Sequence, residues 1–220
     1  MAINIEQYNK IVSFCNDKNV TLVAVSKIKP AEDIQALYNL GQRDFGENYV
    51  QELVAKEAIL PKDIRWHHIG HLQSNKVKYI APFVHLIHGV DSEKLLTEIN
   101  KQAAKNDRVI HCLLQVHIAT EETKFGFDET ELKTVLNNLE SLKNIQVDGL
   151  MGMASFSDNP QQVRSELRSL KVIFNKYSSL TVANATFTIL SMGMSGDYIM
   201  AVEEGSTMIR IGSLLFGARM

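Results

Sequence analysis

Three short stretches hold the residue types from which chemistry could be built. In the first, Thr21 to Pro30 (TLVAVSKIKP), the apolar run Leu22 to Val25 stops at Ser26 and Lys27. A short apolar run bounded by polar and proline signals suits a strand buried on both faces. Lys27 then stands at the carboxyl tip of that strand, where α/β folds place their chemistry. An amine at the end of an apolar strand loses solvation, which lowers its pKa and lets it attack an aldehyde and form a Schiff base. The same position also suits an ordinary surface lysine that caps a strand. The second stretch, SMGMSGD (Ser191 to Asp197), offers hydroxyls and the flexible Gly193 and Gly196 before a helix start. The third, STMIRIGSLLFG (Ser206 to Gly217), passes through Gly212 and Ser213 into a short apolar helix. Glycine lets backbone N–H groups approach an anion, and a helix start adds partial positive charge. Taken singly, each loop is equally a turn or a helix cap. Arg210, two residues before Gly212, shares a strand face with Gly212 and Met208 by alternation. An arginine in a barrel mouth needs a partner: Glu47 in an ion pair, or an atom of a ligand.

These stretches meet only if the elements between them wind the chain into a closed shape. Ile5, Tyr8, Ile11, Val12 and Cys15 recur at helical spacing over Ile5 to Asn16. After the Lys27 strand, Ile34, Leu37 and Leu40 mark a helix that Gly41 stops. RDFG, Arg43 to Gly46, is a short strand, and a helix with Tyr49, Leu53 and Val54 follows. The next strands are expected at Arg65 to Ile69, with Gly70 and His71 at the tip, at Phe83 to Val90, and at Val109 to Ile118. The last three are expected at Val147 to Met153, Thr186 to Ser191 and Met208 to Ile211. Between them fall a short helix over Ser74 to Tyr79, one capped by Asp91, one capped by Asp128 after the loop ATEETKFGFD, and a long one from Pro160 through Tyr177. Strand and helix alternate about eight times, which implies parallel strands. The expected architecture is α/β, a single (β/α)8 TIM-type barrel spanning 1–220 as one domain. An open doubly wound sheet is the alternative, and it lacks the expected GxGxxG after the first strand. In a closed barrel the first and eighth strands are neighbours, so Lys27, Gly212 and Ser213 converge.

Bulk properties narrow the function classes. The chain has 220 residues, 45% of them hydrophobic, enough for one sizeable core. With 23 basic and 25 acidic residues, its formal charge of -2 is too balanced for a nucleic-acid or membrane surface. Cys15 and Cys112 lie in apolar contexts and read as reduced core thiols. The absence of CxxC and HExxH gives a metal site little support. The start MAINIEQYNK is unlike a signal peptide, and no apolar run approaches the ~20 residues of a membrane span. The expectation is a soluble, cytoplasmic protein.

AVSK, FGENYVQE, WHHIGHLQSNK, GLMGM, SMGMS and MIRIGSLLFG occur in this order from one end of the chain to the other. Together they resemble the YggS/PROSC family of pyridoxal 5'-phosphate homeostasis proteins, over about Ile5 to Gly217. The resemblance implies the barrel half of a fold-type III enzyme such as alanine racemase, without the second β domain. It implies that Lys27 holds pyridoxal 5'-phosphate (PLP) as a Schiff base. Ser191 and Gly193 of SMGMS, with Gly212 and Ser213, would hold the phosphate. Arg210 would face the pyridine nitrogen and make the ring a weaker electron sink, and Asn48 of FGENY would approach the ring. Many relatives carry Thr at the position of Ser213, and His68 replaces a residue that is often apolar. No catalytic residue and no metal is implied. The implied partners are PLP itself and, as recipients, PLP-dependent apoenzymes, with a monomer expected because the racemase dimer contact is missing. A fold-type III enzyme acting on amino acids, and a barrel for some other phosphorylated metabolite, are the competing readings.

Overall fold

Eight short parallel strands close on themselves in the computed structural model, which describes residues 3–119, 125–179 and 182–217. The strands are β1 (Thr21–Val25), β2 (Asp44–Glu47), β3 (Arg65–His68), β4 (Leu86–Val90), β5 (Ile110–Gln115), β6 (Ile145–Met151), β7 (Ala185–Ser191) and β8 (Met208–Ile211). They pair in sequence order, and β1 pairs with β8 from Thr21 opposite Met208 to Ala24 opposite Ile211. Closure leaves no exposed sheet edge among them. Helices α1 (Ile5–Lys18), α2 (Ala31–Asn39), α3 (Val50–Ile59), α4 (Val77–Ile80), α5 (Glu93–Lys105), α6 (Glu129–Asn138), α7 (Pro160–Ser178), α8 (Tyr198–Glu203) and α9 (Ser213–Phe216) complete the framework. The expected (β/α)8 barrel is therefore the observed one.

Most of the core lies between the strands and the surrounding helices; a smaller apolar cluster of Val23, Leu86, Leu113, Met151 and Met208 forms separately. Helix α1 stands outside the strand–helix repeat. It buries Tyr8, Ile11 and Cys15, and the Asn4 N–H donates to Leu215 O at 2.8 Å, so it closes over α9. Asp128 caps α6 as expected, in a capping box with Glu131. The cap of α5 is Ser92, one residue past the expected Asp91, whose carboxylate instead meets His71 Nδ1 at 2.9 Å. The fourth strand starts at Leu86 rather than Phe83, because Val84 N–H still donates to Ile80 O in the turn that ends α4. Residues 120–124 of the loop expected after β5 lie outside the described residues. Among the described residues, no helix is long and apolar enough to cross a membrane.

Candidate functional site

The tip of β1 is a tight turn. Ser26 N–H donates to Gly46 O on β2, and Lys29 N–H returns to Ser26 O, each at 3.0 Å. Lys27 and Ile28 are the two central residues, and Ile28 has φ of 59°. A branched residue in that left-handed region costs on the order of 1–2 kcal/mol, so the surroundings must impose it. Ile28 N–H donates to Glu52 Oε1 at 2.5 Å, and Lys29 Nζ donates to Phe216 O at 2.9 Å, pinning the turn to α3 on one side and α9 on the other. Beneath it lies a buried cluster. Lys56 Nζ donates to Glu47 Oε1 (2.8 Å), Glu52 Oε1 (2.6 Å) and Ser26 O (2.8 Å), while Ser26 Oγ donates to Glu47 Oε1 (2.6 Å). Burial pushes the Glu47 carboxyl up, and the Lys56 ammonium works against it. Glu47 is thus the partner of Lys56 and supports the turn that carries Lys27; the ion pair considered for Arg210 does not form. Lys27 itself is half-buried.

The loop after β7 is tied to β8 and to the loop after it by two hydrogen bonds. Arg210 N–H donates to Gly193 O at 3.0 Å, and Gly212 N–H donates to Ser195 Oγ at 3.3 Å. Gly193 has φ of 97°, and a Cβ there would lie 2.6 Å from Ala201 Cβ and 3.2 Å from Tyr198 Cα in the following helix α8. This is a position only glycine suits. Gly212 lies against β1, where an added Cβ would stand 3.3 Å from Val25 O. The closed register therefore brings the Lys27 turn beside Gly212 and the exposed Ser213, with Gly193 behind them.

The Arg210 and Ser191 side chains are bonded to each other. Arg210 is 4% exposed; its guanidinium donates to Ser191 Oγ at 2.5 Å and to Gly152 O at 3.2 Å. Burial pulls its pKa down to about 10. Ser191 is fully buried, and its Oγ also stands 3.1 Å from His88 Nδ1. The hydroxyl beside Gly212 belongs to Ser195, four residues further along SMGMSGD. Both serines were visible in that motif, and only the closure of the barrel distinguishes their surroundings. Asn48 lies just past β2, half-buried, and its Oδ1 is shut from solvent with no hydrogen-bond partner. Tyr49 is exposed, and the His71 ring stacks on Phe125 with centroids 4.6 Å apart. Burial holds the His68 ring, at the end of β3, down to about 4.

One arrangement had no signature in the linear sequence. His67 Nδ1 lies 2.9 Å from His88 Nε2, and His67 Nε2 lies 3.0 Å from Asp44 Oδ1. With Ser191 and Arg210, these side chains form a continuous polar file from β2 to β8. No two of its members are near neighbours in the chain.

An eight-stranded parallel barrel that gathers a lysine turn and two glycine loops at its carboxyl ends defines a class, and residues 4–220 match the model described as "Alanine racemase, N-terminal domain": the chain belongs to that family. Its relatives are more specific. A pyridoxal phosphate homeostasis protein of Aquifex aeolicus is 43% identical over 90% of this chain and 86% of its own length. A protein of the same description from Synechocystis is 41% identical over 92% and 93%. PipY of Synechococcus elongatus, solved with PLP bound, superposes with a TM-score of 0.86 at 35% identity, covering 96% of this chain and all of that one (100%). An alanine racemase of Bartonella henselae shares the fold at 15% identity and a TM-score of 0.72, with 97% of this chain covering 59% of the racemase.

Proposed function

We propose that this chain is a PLP-binding protein of PLP homeostasis, which holds the cofactor reversibly through Lys27 and buffers or delivers it. The observation that carries the reading is the turn at β1, where Lys27 is set beside Gly212 and Ser213 by the β1–β8 register. The residues fit the group. Lys27 offers an amine for the aldehyde, and Asn48 Oδ1 is a buried acceptor without a partner. Gly193, Gly212 and Ser213 offer a loop and a helix start for a phosphate, with the Ser195 hydroxyl beside Gly212. Ser191 belongs to this set through its bond to Arg210. When bound, PLP supplies a reactive aldehyde and an electron-withdrawing ring. Arg210 is a donor fixed in place, and a fixed cation against the ring nitrogen disfavours its protonation. That supports a carrier over a catalyst, since amino-acid chemistry depends on the ring as an electron sink. The bonds of Glu47, Glu52 and Lys56 hold the turn that carries Lys27 rigid.

The recipients are PLP-dependent apoenzymes, the working compartment is the cytoplasm, and the carrier acts as a monomer. Borohydride reduction of the protein incubated with PLP, followed by peptide mapping, should place the adduct on Lys27, and Lys27→Ala should lose it. An adduct on another lysine would sink the assignment. The racemase alternative is tested by incubating the loaded protein with single amino acids in deuterium oxide. Exchange at Cα sustained at enzyme-like rates, roughly 1–10³ s⁻¹, would replace the carrier reading. Sedimentation at micromolar concentration checks the monomer.

A further inference from the structure

The amino-terminal mouth of the barrel, opposite the lysine turn, holds polar side chains that cofactor binding leaves unused. Asp44 opens β2, His67 lies in β3 and His85 immediately precedes β4, so adjacent strands deliver all three to one rim. A carboxylate oxygen of Asp44 and one ring nitrogen of each histidine all lie within 4.8 Å of one another. They line a cavity of about 390 Å3 together with Arg65, His111 and Asp148. Asp44 and His67 are buried, His67 to 1% exposure, a place that polar side chains occupy only with a reason.

We propose that Asp44, His67 and His85 form a binding site for one divalent transition-metal ion of the zinc or cobalt type. One carboxylate oxygen and two imidazole nitrogens suit such an ion, with water completing the shell. One ligand pair is already near coordination spacing, and all three ligand atoms lie within 4.8 Å of one another. Asp44 Oδ1 and His67 Nε2 stand 3.0 Å apart, and tetrahedral ligands at zinc bond lengths are about 3.3 Å apart, so the pair needs to open by only a few tenths of an ångström. Arg65 donates to both Asp44 oxygens, at 2.7 and 2.5 Å, and can keep Oδ2 while an ion takes Oδ1. Such an outer contact orients a ligand. Asp44 and Asp148 outnumber Arg65 at this mouth, which favours a cation.

The outer nitrogen of His67 links this site to the other end of the barrel. With both rings neutral, the Asp44 carboxylate can only accept and the Arg210 guanidinium can only donate. The protons therefore run one way: Arg210 donates to Ser191, Ser191 to His88, His88 to His67, and His67 to Asp44. An ion on His67 Nε2 reverses the two ring bonds. The His67 proton then sits on Nδ1, the His88 proton moves from Nε2 to Nδ1, and the Ser191 hydroxyl rotates away; no proton is gained or lost.

Calorimetric titration of the full chain with zinc chloride, and the visible absorption of added cobalt(II), test the site. One ion per chain is expected. His85→Ala should weaken binding at least about tenfold, since even outer-shell changes cost that much, while His71→Ala, at the opposite end, should bind as the wild type does. His85 is exposed, so the alanine variant keeps the fold, which circular dichroism checks. Absence of stoichiometric binding, or equal binding by wild type, His85→Ala and Asp44→Asn, overturns the site. Nitrogen-15 spectra of the His88 ring read the link: zinc should move its proton to Nδ1, and an unchanged His88 overturns that part.

Discussion

Ile28 adopts a backbone conformation that branched residues avoid, one position after the lysine proposed to hold PLP. Its φ of 59° is held by the Glu52 carboxylate on its N–H and by the Lys29 clamp on α9. The side chain is 55% exposed, so its loss removes little packing. Ile28→Gly should therefore raise stability by on the order of 1 kcal/mol, from relief of left-handed strain offset by a looser unfolded chain. A urea denaturation midpoint above that of the wild type checks it, and an unchanged or lower midpoint would mean the turn is not strained. The position of Lys27 was legible because an apolar run ended there. The strain beside it was not, since it arises from hydrogen bonds to Glu52 and Phe216, one in a later helix and one near the far end of the chain.

The loops after β7 and β8 act through their attachments. Gly193 lets the first loop pass under α8, and Gly193→Ala combines a left-handed alanine with a Cβ 2.6 Å from Ala201 Cβ. A loss of about 2 kcal/mol or more is expected, measured as a lowered midpoint. At the other end of α8, the Arg168 and Arg164 guanidiniums of α7 bind Glu204 and hold its carboxyl below the usual range. A carboxyl with a depressed folded pKa stabilises the fold above its unfolded value, about 4.3, and loses that contribution as pH falls through the folded one. Glu204→Gln should thus lower the melting temperature by a constant amount from pH 6 to 8, by a shrinking amount below about pH 4.3, and by less in high salt. A gap that persists in acid would assign the effect to packing. Such elements were legible from their apolar spacing and capping residues. Their ends were less so: Asp91 is a good cap by type, but His71 occupies its carboxylate, and Ser92 caps α5 instead.

Closure of the barrel decides what the polar file through its interior is worth. Asp44, His67, His88, Ser191 and Arg210 come from five strands, and only pairing all eight strands brings them into line. Residue spacing could place Lys27 against Gly212, because it needed only the neighbouring first and last strands. It could not show that a histidine inside β4 faces a serine at the end of β7. If the file acts as a unit, its members depend on one another. His88→Leu would leave His67 Nδ1 without a donor and the Ser191 O–H without an acceptor, while Arg210 still donates to Ser191 Oγ; a buried polar group left unsatisfied costs about 1–3 kcal/mol. A loss of at least about 2 kcal/mol is expected by urea denaturation. Ser191→Ala should then cost less in the His88→Leu background than alone, by about 0.5–3 kcal/mol, because one of its two partners is already gone. Strict additivity would mean the contacts are independent pairs. In that case the amino-terminal mouth and Arg210 would share a barrel without exchanging information.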